Sequence, residues 1–470
     1  MMKKNYKFFI ALGIIILLVL LLGIGLFLFT PYLHFKDDSR VLERGSVHLA
    51  GDFILETNGD VIPENTMLYT DEVGNYTFHY SLRKYFMKKD VEFNYEVVDT
   101  TAPKIEIKNR IIVKDPGKVF SEDDILNNVK IDEGNLEIDT DYDPDISGTY
   151  LVNIKATDAY NNSSNDFFEI IVNDIQAPIV FVEGHNAEVL KGSEFDIDDL
   201  ISYGDNVDAK PELTITGEVD TSKLGRYPLH GKLVDSANNV TEWDFVVEVV
   251  DEYSDYDYEE DVYDFDDFIN DYQKPGRKLG MDISEWQYDV DFEKIKEAGC
   301  EFVIMRLGFS HDGKLTLDKK FKQNLENAKK VNMPVGVYIY FHDDTKEELL
   351  STLNTAFEVL NGTSLQLPFF FDWEEFHNFQ EHEISFKDLN QLYKVFKSEV
   401  EKAGYEAMLY GSKFYLNEVW TNTDEMEVWL AHYIDWSNYD KPYRFWQLSA
   451  TGRIDGIEGN TDLDIMFTNP

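Results

Sequence analysis

From Phe8 to Phe29 the chain runs without a single charged side chain. A helix over those 22 residues is about 33 Å long, enough to cross a hydrocarbon layer of ~30 Å. Lys3, Lys4 and Lys7 precede the run, and Pro31, Lys36, Asp37 and Asp38 close it. A cleaved signal peptide has a shorter apolar core, about 7–15 residues, followed by a small-x-small site. Here the small pair, Gly23-Ile24-Gly25, lies inside the run, and no cysteine follows it to accept a lipid. The pattern predicts a basic cytoplasmic stub (1–7), a transmembrane signal anchor (8–30), and all later residues outside the cell by the positive-inside rule.

Beyond the apolar run the chain must be stabilised by cores, because Cys300 is the sole cysteine and no intrachain disulfide can form. Its setting, between Ala298-Gly299 and Phe302-Val303-Ile304, reads as a buried structural thiol where a helix enters a strand. A formal net charge of −46 excludes a nucleic-acid partner, since phosphate recognition needs clustered Lys and Arg.

The middle of the chain repeats. Asp99-Thr100-Thr101-Ala102-Pro103 returns 75 residues later as Asp174-Ile175-Gln176-Ala177-Pro178. Gly148-Thr149-Tyr150 returns as Gly225-Arg226-Tyr227, and Asn161-Asn162 as Asn238-Asn239; Gly74-Asn75-Tyr76 marks a fainter first copy. Short alternating segments such as Tyr150-Leu151-Val152-Asn153-Ile154, bounded by Gly, Asn and Asp turns, predict small all-β sandwiches. The units resemble bacterial immunoglobulin-like surface repeats, at 35–100, 101–173 and 174–250. Neither an aromatic cluster nor a metal-spaced acid set recurs in the two clear copies, so they read as spacers; Gly204-Asp205-Asn206-Val207-Asp208 reads as a turn.

Asp251 to Asp271 carries eleven acidic residues and no Lys or Arg. Like charges keep a chain extended, so an acidic linker is expected over 251–276. From 277 to 470 strand-like runs (Phe302 to Met305, Pro334 to Tyr340, Leu367 to Phe371, Ala407 to Tyr410, Val428 to Ala431) alternate with helical ones. Asp318 to Lys330 and Phe386 to Ala403 are the clearest helices. That alternation predicts a parallel sheet, open or closed into a barrel, with functional groups at the strands' C-terminal ends.

Acids and aromatics gather at those ends. Phe369-Phe370-Phe371 runs into Asp372-Trp373-Glu374, and residues i and i+2 of a strand share a face. Repulsion between the two carboxylates raises one and leaves its partner ionised, the division of labour of a glycosidase. Asp282 follows the first strand and Asp462 lies near the last. Trp286, Gln287, Tyr338, Tyr340, Tyr410, Trp429, Tyr433, Trp446 and Gln447 occupy other strands or their ends. Carboxylates ringed by aromatics suit a carbohydrate, whose C–H faces pack on rings. His342 and His432 have no partners at zinc-like spacing, and acid–base work by carboxylates requires no metal or cofactor.

With these motifs in order, Asp282-Ile283-Ser284-x-Trp286-Gln287, Val335-Gly336-Val337-Tyr338, Asp372-x-Glu374, Trp429-Leu430-Ala431-x-Tyr433, and Trp446-Gln447 leading to Gly456-Ile457 and Asp462-Leu463, residues 279–470 resemble glycoside hydrolase family 25, the Chalaropsis-type lysozymes or N-acetylmuramidases. The resemblance implies a modified (β/α) TIM-like barrel that cleaves β-1,4 bonds from N-acetylmuramic acid to N-acetylglucosamine in peptidoglycan. It implies Glu374 as general acid, Asp372 on the substrate's N-acetyl group in a substrate-assisted, retaining reaction, and Asp282 and Asp462 lining the cleft. Trp373 and Asp464 depart from the family's usual residues, Trp373 on a side chain expected to face away.

The whole then reads as a multidomain, membrane-anchored wall hydrolase outside a Gram-positive cell, its partners the glycan strands and its own membrane. The rival readings are an inactive wall-binding adhesin or scaffold, and a chitinase-like hydrolase. The intact acids oppose the first; the second lacks its longer Asp-x-x-Asp-x-Asp-x-Glu run.

Overall fold

Uninterrupted apolar sequence makes the first element, a helix over Met2–Phe29. Its stretch Tyr6–Phe29 is long and apolar enough to cross a membrane and is not buried against protein. The computed structural model describes residues 2–36, 40–184, 186–254, 262–424 and 426–468. Two compact units divide the chain: Met1–Arg110 with Asp123–Thr140 and Leu151–Phe168, and Ile111–Glu122 with Asp141–Tyr150 and Glu169–Pro470.

In the first unit a four-stranded sheet takes the order Val41–Glu43, Met87–Val98, Gly74–Lys84, Asp60–Ile62, beside a two-stranded pair, Leu33–Phe35 with Ile54–Thr57. Alternation puts Tyr80, Leu82, Phe93, Tyr95 and Val97 inside and polar residues outside. The same plan recurs in the second unit. Ala187–Leu190, Val240–Val250, Gly225–Val234 and Glu212–Thr216 form the sheet, and Ile179–Glu183 pairs with Ile201–Gly204. The middle repeat is shared between the units: Asn135–Asp139 pairs antiparallel with the second half of Gly148–Thr157 in the first, and Ile111–Lys114 runs parallel to Glu169 through Val172 in the second.

The rest of the second unit is a closed eight-stranded barrel. Its strands are β1 (Arg277–Ile283), β2 (Phe302–His311), β3 (Val335–Tyr340), β4 (Phe369–Asp372), β5 (Ala407–Ser412), β6 (Val428–Ala431), β7 (Tyr443–Arg453) and β8 (Thr461–Phe467). Strands β1 to β7 pair in parallel. Strand β8 closes the ring, antiparallel to both β7 and β1. Because β8 runs the other way, its first residues lie at the C-terminal ends of the other seven, and Asp462 comes opposite Asp282.

Parity sorts each strand. Phe302, Ile304, Phe370, Met408, Trp429 and Phe445 fill the barrel, while Phe369, Phe371, Val428, Leu430 and Trp446 face the surrounding helices. Helices Lys346–Leu360 and Phe386–Lys402 start at capping boxes, Thr345 with Glu348 and Ser385 with Asp388. The helix expected from Asp318 begins at Phe321, because Asp318 turns back to accept hydrogen bonds from Arg306 and the amide of Lys320.

The expected linker is shorter than 251–276. Residues 255–261 lie outside the described ones, but Tyr263–Asp264 pairs with β7 and Phe265–Tyr272 is a helix. Phe265, Phe268 and Tyr272 are buried in the barrel's outer core. Acidic residues dominate this stretch, yet its aromatics recur at three- and four-residue steps, and that apolar face outweighs the repulsion among the outward-facing acids.

The third repeat packs onto the barrel domain. Phe181 meets the rings of Phe376, Phe379, Phe386 and Tyr415. The amides of Phe386 and Lys387 donate to the carbonyls of Asp205 (2.8 Å) and Asn206 (3.1 Å). Gln380 Nε2 donates to the Ile201 carbonyl at 3.0 Å, and the Ser202 hydroxyl to that of Phe376. At Gly204 a Cβ would lie 2.5 Å from the Phe386 ring, so glycine permits this close approach. Such contacts go beyond what a passive spacer makes.

Candidate active site

Strand parity turns four expected acids into one barrel mouth. Phe370 points inward, so Asp372 and Glu374 follow on its face, while Trp373 joins Phe376 and Phe379 in the outer core. Trp373 thus faces away, as expected. Asp282 comes from β1 and Asp462 from β8, opposite each other in register. Asp464, two residues on, completes the inward face of β8 and is fully buried.

Hydrogen bonds tie these groups into a floor. Gln447 Nε2 donates to Asp282 Oδ2 at 2.7 Å, and its Oε1 accepts from the hydroxyls of Tyr410 and Tyr433, both at 2.9 Å. Trp429 Nε1 donates to Asp464 Oδ1 at 2.8 Å. Asp372 Oδ1 and Asp464 Oδ2 are buried and meet no N–H or O–H donor. Their neighbours are acids: Asp372 contacts Glu374, and Asp464 contacts Asp282. Two carboxylates in contact are stable when they hold one proton between them.

The electrostatics agree. Burial pushes Asp282, Asp372 and Asp462 well above the ordinary carboxylate range, with neighbouring acids adding to the shift. Asp464 is pushed up to about 8 by burial and by Asp462. Glu374 is raised as well, chiefly by burial. Its hydrogen bond with Asp372 offsets part of that rise. The Arg306 guanidinium pulls Asp372 back down only weakly. It is itself engaged by Asp318 at 2.9 Å and Glu285 at 3.3 Å.

Beside these acids opens a cleft of about 570 Å³, lined by Glu374, Tyr410 and Tyr433 and by Lys413, Phe414 and Asn417 from the segment after β5. That volume suits a small-molecule or sugar ligand. Trp286 stands 69% exposed on the rim, free to stack on a ring. Tyr338 packs on Trp429, and Tyr340 donates to Glu375 Oε1 at 2.9 Å.

Not every expected binding residue faces the cleft. Trp446 lies on the other side of β7, buried against Tyr272, with its Nε1 donating to the His432 carbonyl. Gln287 accepts from the Ser284 amide and donates to the Asn460 carbonyl, so it fixes the turn after β1. Trp429 is 2% exposed and supports the floor from below. Asp464 and Arg306 were not among the expected site residues, although i+2 parity from Asp462 and Ile304 marks both as inward. Lys413, Phe414 and Asn417 carry no such signal, because a loop and a short helix set their direction.

Residues 281–457 match the model for glycosyl hydrolases family 25. The C-terminal domain is a family 25 glycosyl hydrolase. It is a glycoside hydrolase of the lysozyme type. The autolytic lysozyme of Clostridium acetobutylicum is 27% identical over 189 residues, covering 39% of this chain and 54% of that protein. YegX of Escherichia coli K12 is 25% identical over 192 residues, covering 40% of this chain and 68% of its own length. The chain thus spans about half the length of the first relative and two thirds of the second. Among solved structures, a family 25 glycosyl hydrolase from Bacillus anthracis aligns over 41% of this chain and 89% of its own, at 20% identity and a TM-score of 0.35.

Proposed function

We propose that the family 25 domain is an N-acetylmuramidase, hydrolysing the β-1,4 bond from N-acetylmuramic acid to N-acetylglucosamine in peptidoglycan. The observation that carries this reading is the Asp372–Glu374 contact at the cleft's edge, two acids placed to share one proton. Glu374 is the member that opens on the cleft. It gives its proton to the leaving glycosidic oxygen.

In the free site the shared proton rests on Asp372, the more strongly raised of the two. The N–H of the substrate's acetamide, donating to Asp372, stabilises its anion and shifts that proton to Glu374 before the transfer. The acetamide oxygen then attacks the anomeric carbon and forms an oxazolinium ion, and Glu374 as carboxylate deprotonates the water that opens it. Two inversions retain the configuration, a substrate-assisted route known among glycoside hydrolases. Asp282, held by Gln447, and Asp462 line the floor beneath the reacting sugar.

The helix Met2–Phe29 supports a membrane anchor, and the repeats an immunoglobulin-like stalk outside the cell. Phe29 packs against Tyr85 and Phe86, which are 79% and 83% exposed at the tip of the first repeat's hairpin. Aromatic side chains grouped at the end of an apolar helix suit the membrane–water interface. Dye release from labelled peptidoglycan tests the chemistry: Glu374→Gln should lower kcat/KM by about 10³-fold with the circular dichroism spectrum unchanged. Activity within tenfold of the parent would exclude Glu374 as the acid.

A further inference from the structure

Two sets of three acids hold the same place in successive repeats. Asp99, Glu133 and Asp158 form one, Asp174, Asp205 and Asp235 the other, and in each set one oxygen per residue lies within 4.8 Å of the rest. Their local bonding matches. Asp158 accepts the amide and side chain of Asn162 as Asp235 accepts those of Asn239.

The sets differ in what neutralises them. In the first, the Arg44 guanidinium lies 2.9 Å from Asp99 and 3.2 Å from Glu133. Arg44 follows Glu43, which accepts the Thr100 amide at 2.8 Å. Asp115 takes that part in the next repeat, accepting the Ile175 amide at 2.9 Å, but the residue after it is Pro116. That position therefore delivers no guanidinium to the second set.

These acids are also more deeply buried, Asp174 at 8%, Asp205 at 0% and Asp235 at 5% exposure. Asp174 Oδ1 accepts from Asn206, and Asp205 Oδ1 from the amides of Val207 and Asp208. The second oxygens, Asp174 Oδ2 and Asp205 Oδ2, are buried with no hydrogen-bond partner, and so is Asn206 Oδ1. Burying unpaired carboxylates is costly unless a cation compensates them.

We propose that Asp174, Asp205 and Asp235, with the side-chain carbonyl of Asn206, bind a calcium ion. All four donors are hard oxygens, the set Ca²⁺ prefers, with neither the imidazole nor the thiolate that draws zinc. Oxygens sharing one Ca²⁺ at about 2.3–2.6 Å lie at most ~5 Å apart, and those of the three acids lie within 4.8 Å of one another. Where the preceding repeat uses an arginine, this one uses a metal. The carbonyls of Asp205 and Asn206 receive the first amides of helix Phe386–Lys402, so the ion braces the loop on which the third repeat meets the catalytic domain.

The test is calcium titration calorimetry on the full-length chain in detergent, stripped with chelator and held in excess magnesium chloride to fill weak carboxylate sites. One calcium per chain is expected. Asp205→Asn, which keeps the Oδ1 acceptor of the turn, and independently Asp174→Asn should weaken it at least about tenfold through lost ligand charge. Glu133→Gln, at the arginine-filled set, should leave it unchanged. The proposal is overturned if the parent chain binds no calcium above the magnesium background, or if the Asp174 and Asp205 variants give the parent's isotherm.

Discussion

At the mouth of the barrel five carboxyl groups hold protons more tightly than they do in the unfolded chain. Asp282, Asp372, Asp462 and Glu374 are all raised, and Asp464 stands at about 8. For a raised acid the native state binds more protons than the unfolded one, so stability falls as pH rises from the ordinary aspartate value of 3.8 through about 8. Urea midpoints should therefore be higher at about pH 5 than at about pH 8, and Asp464→Asn should flatten that slope by removing one titrating group. A midpoint that rises toward alkaline pH would contradict the protonated floor. The residues that build this floor were largely legible in the sequence through the period of two. Asp372 and Glu374 share a face, Asp282 and Asp462 sit at strand ends, and Trp373 faces away. The same rule separates Trp446 from Gln447 and adds Asp464 to Asp462. Gln287 escapes it, since a turn and not a strand fixes its side chain.

Among the elements, the helix Phe265–Tyr272 shows how composition can mislead. Eleven acids over Asp251 to Asp271 predict an extended linker, but Phe265, Phe268 and Tyr272 are buried in the barrel's outer core. Phe268→Ala should cost the catalytic domain about 3–5 kcal/mol in chemical denaturation, as for other buried Phe truncations; no change would restore the linker reading. The docked third repeat was likewise not legible. Phe181 lies on an ordinary alternating strand, and its partners, Phe376 to Phe386, follow the catalytic strand by loops whose path only tertiary packing decides. Phe181→Ala should destabilise the third repeat and catalytic domain together, by about 2 kcal/mol for a partly buried ring that packs on other aromatic rings. Strands β2 to β6 were easier to foresee, because continuous apolar runs between helical patterns admit few alternatives to a parallel sheet.

For the molecule as a whole, the proposed membrane anchor is the apolar helix, followed along the chain by three β repeats and a lysozyme-type domain. Anchored enzyme should sediment with membranes after cell lysis and resist extraction by high salt or alkaline carbonate, since a spanning helix is held by burial in lipid and not by charge. Active enzyme in the culture supernatant would oppose an uncleaved anchor. The bond that is cut decides the proposed activity. Purified peptidoglycan digested with the full-length chain, reduced with borohydride and hydrolysed should yield muramicitol, the reduced form of a newly exposed N-acetylmuramic acid end. Glucosaminitol as the product, or no new reducing ends from a folded enzyme, would contradict it.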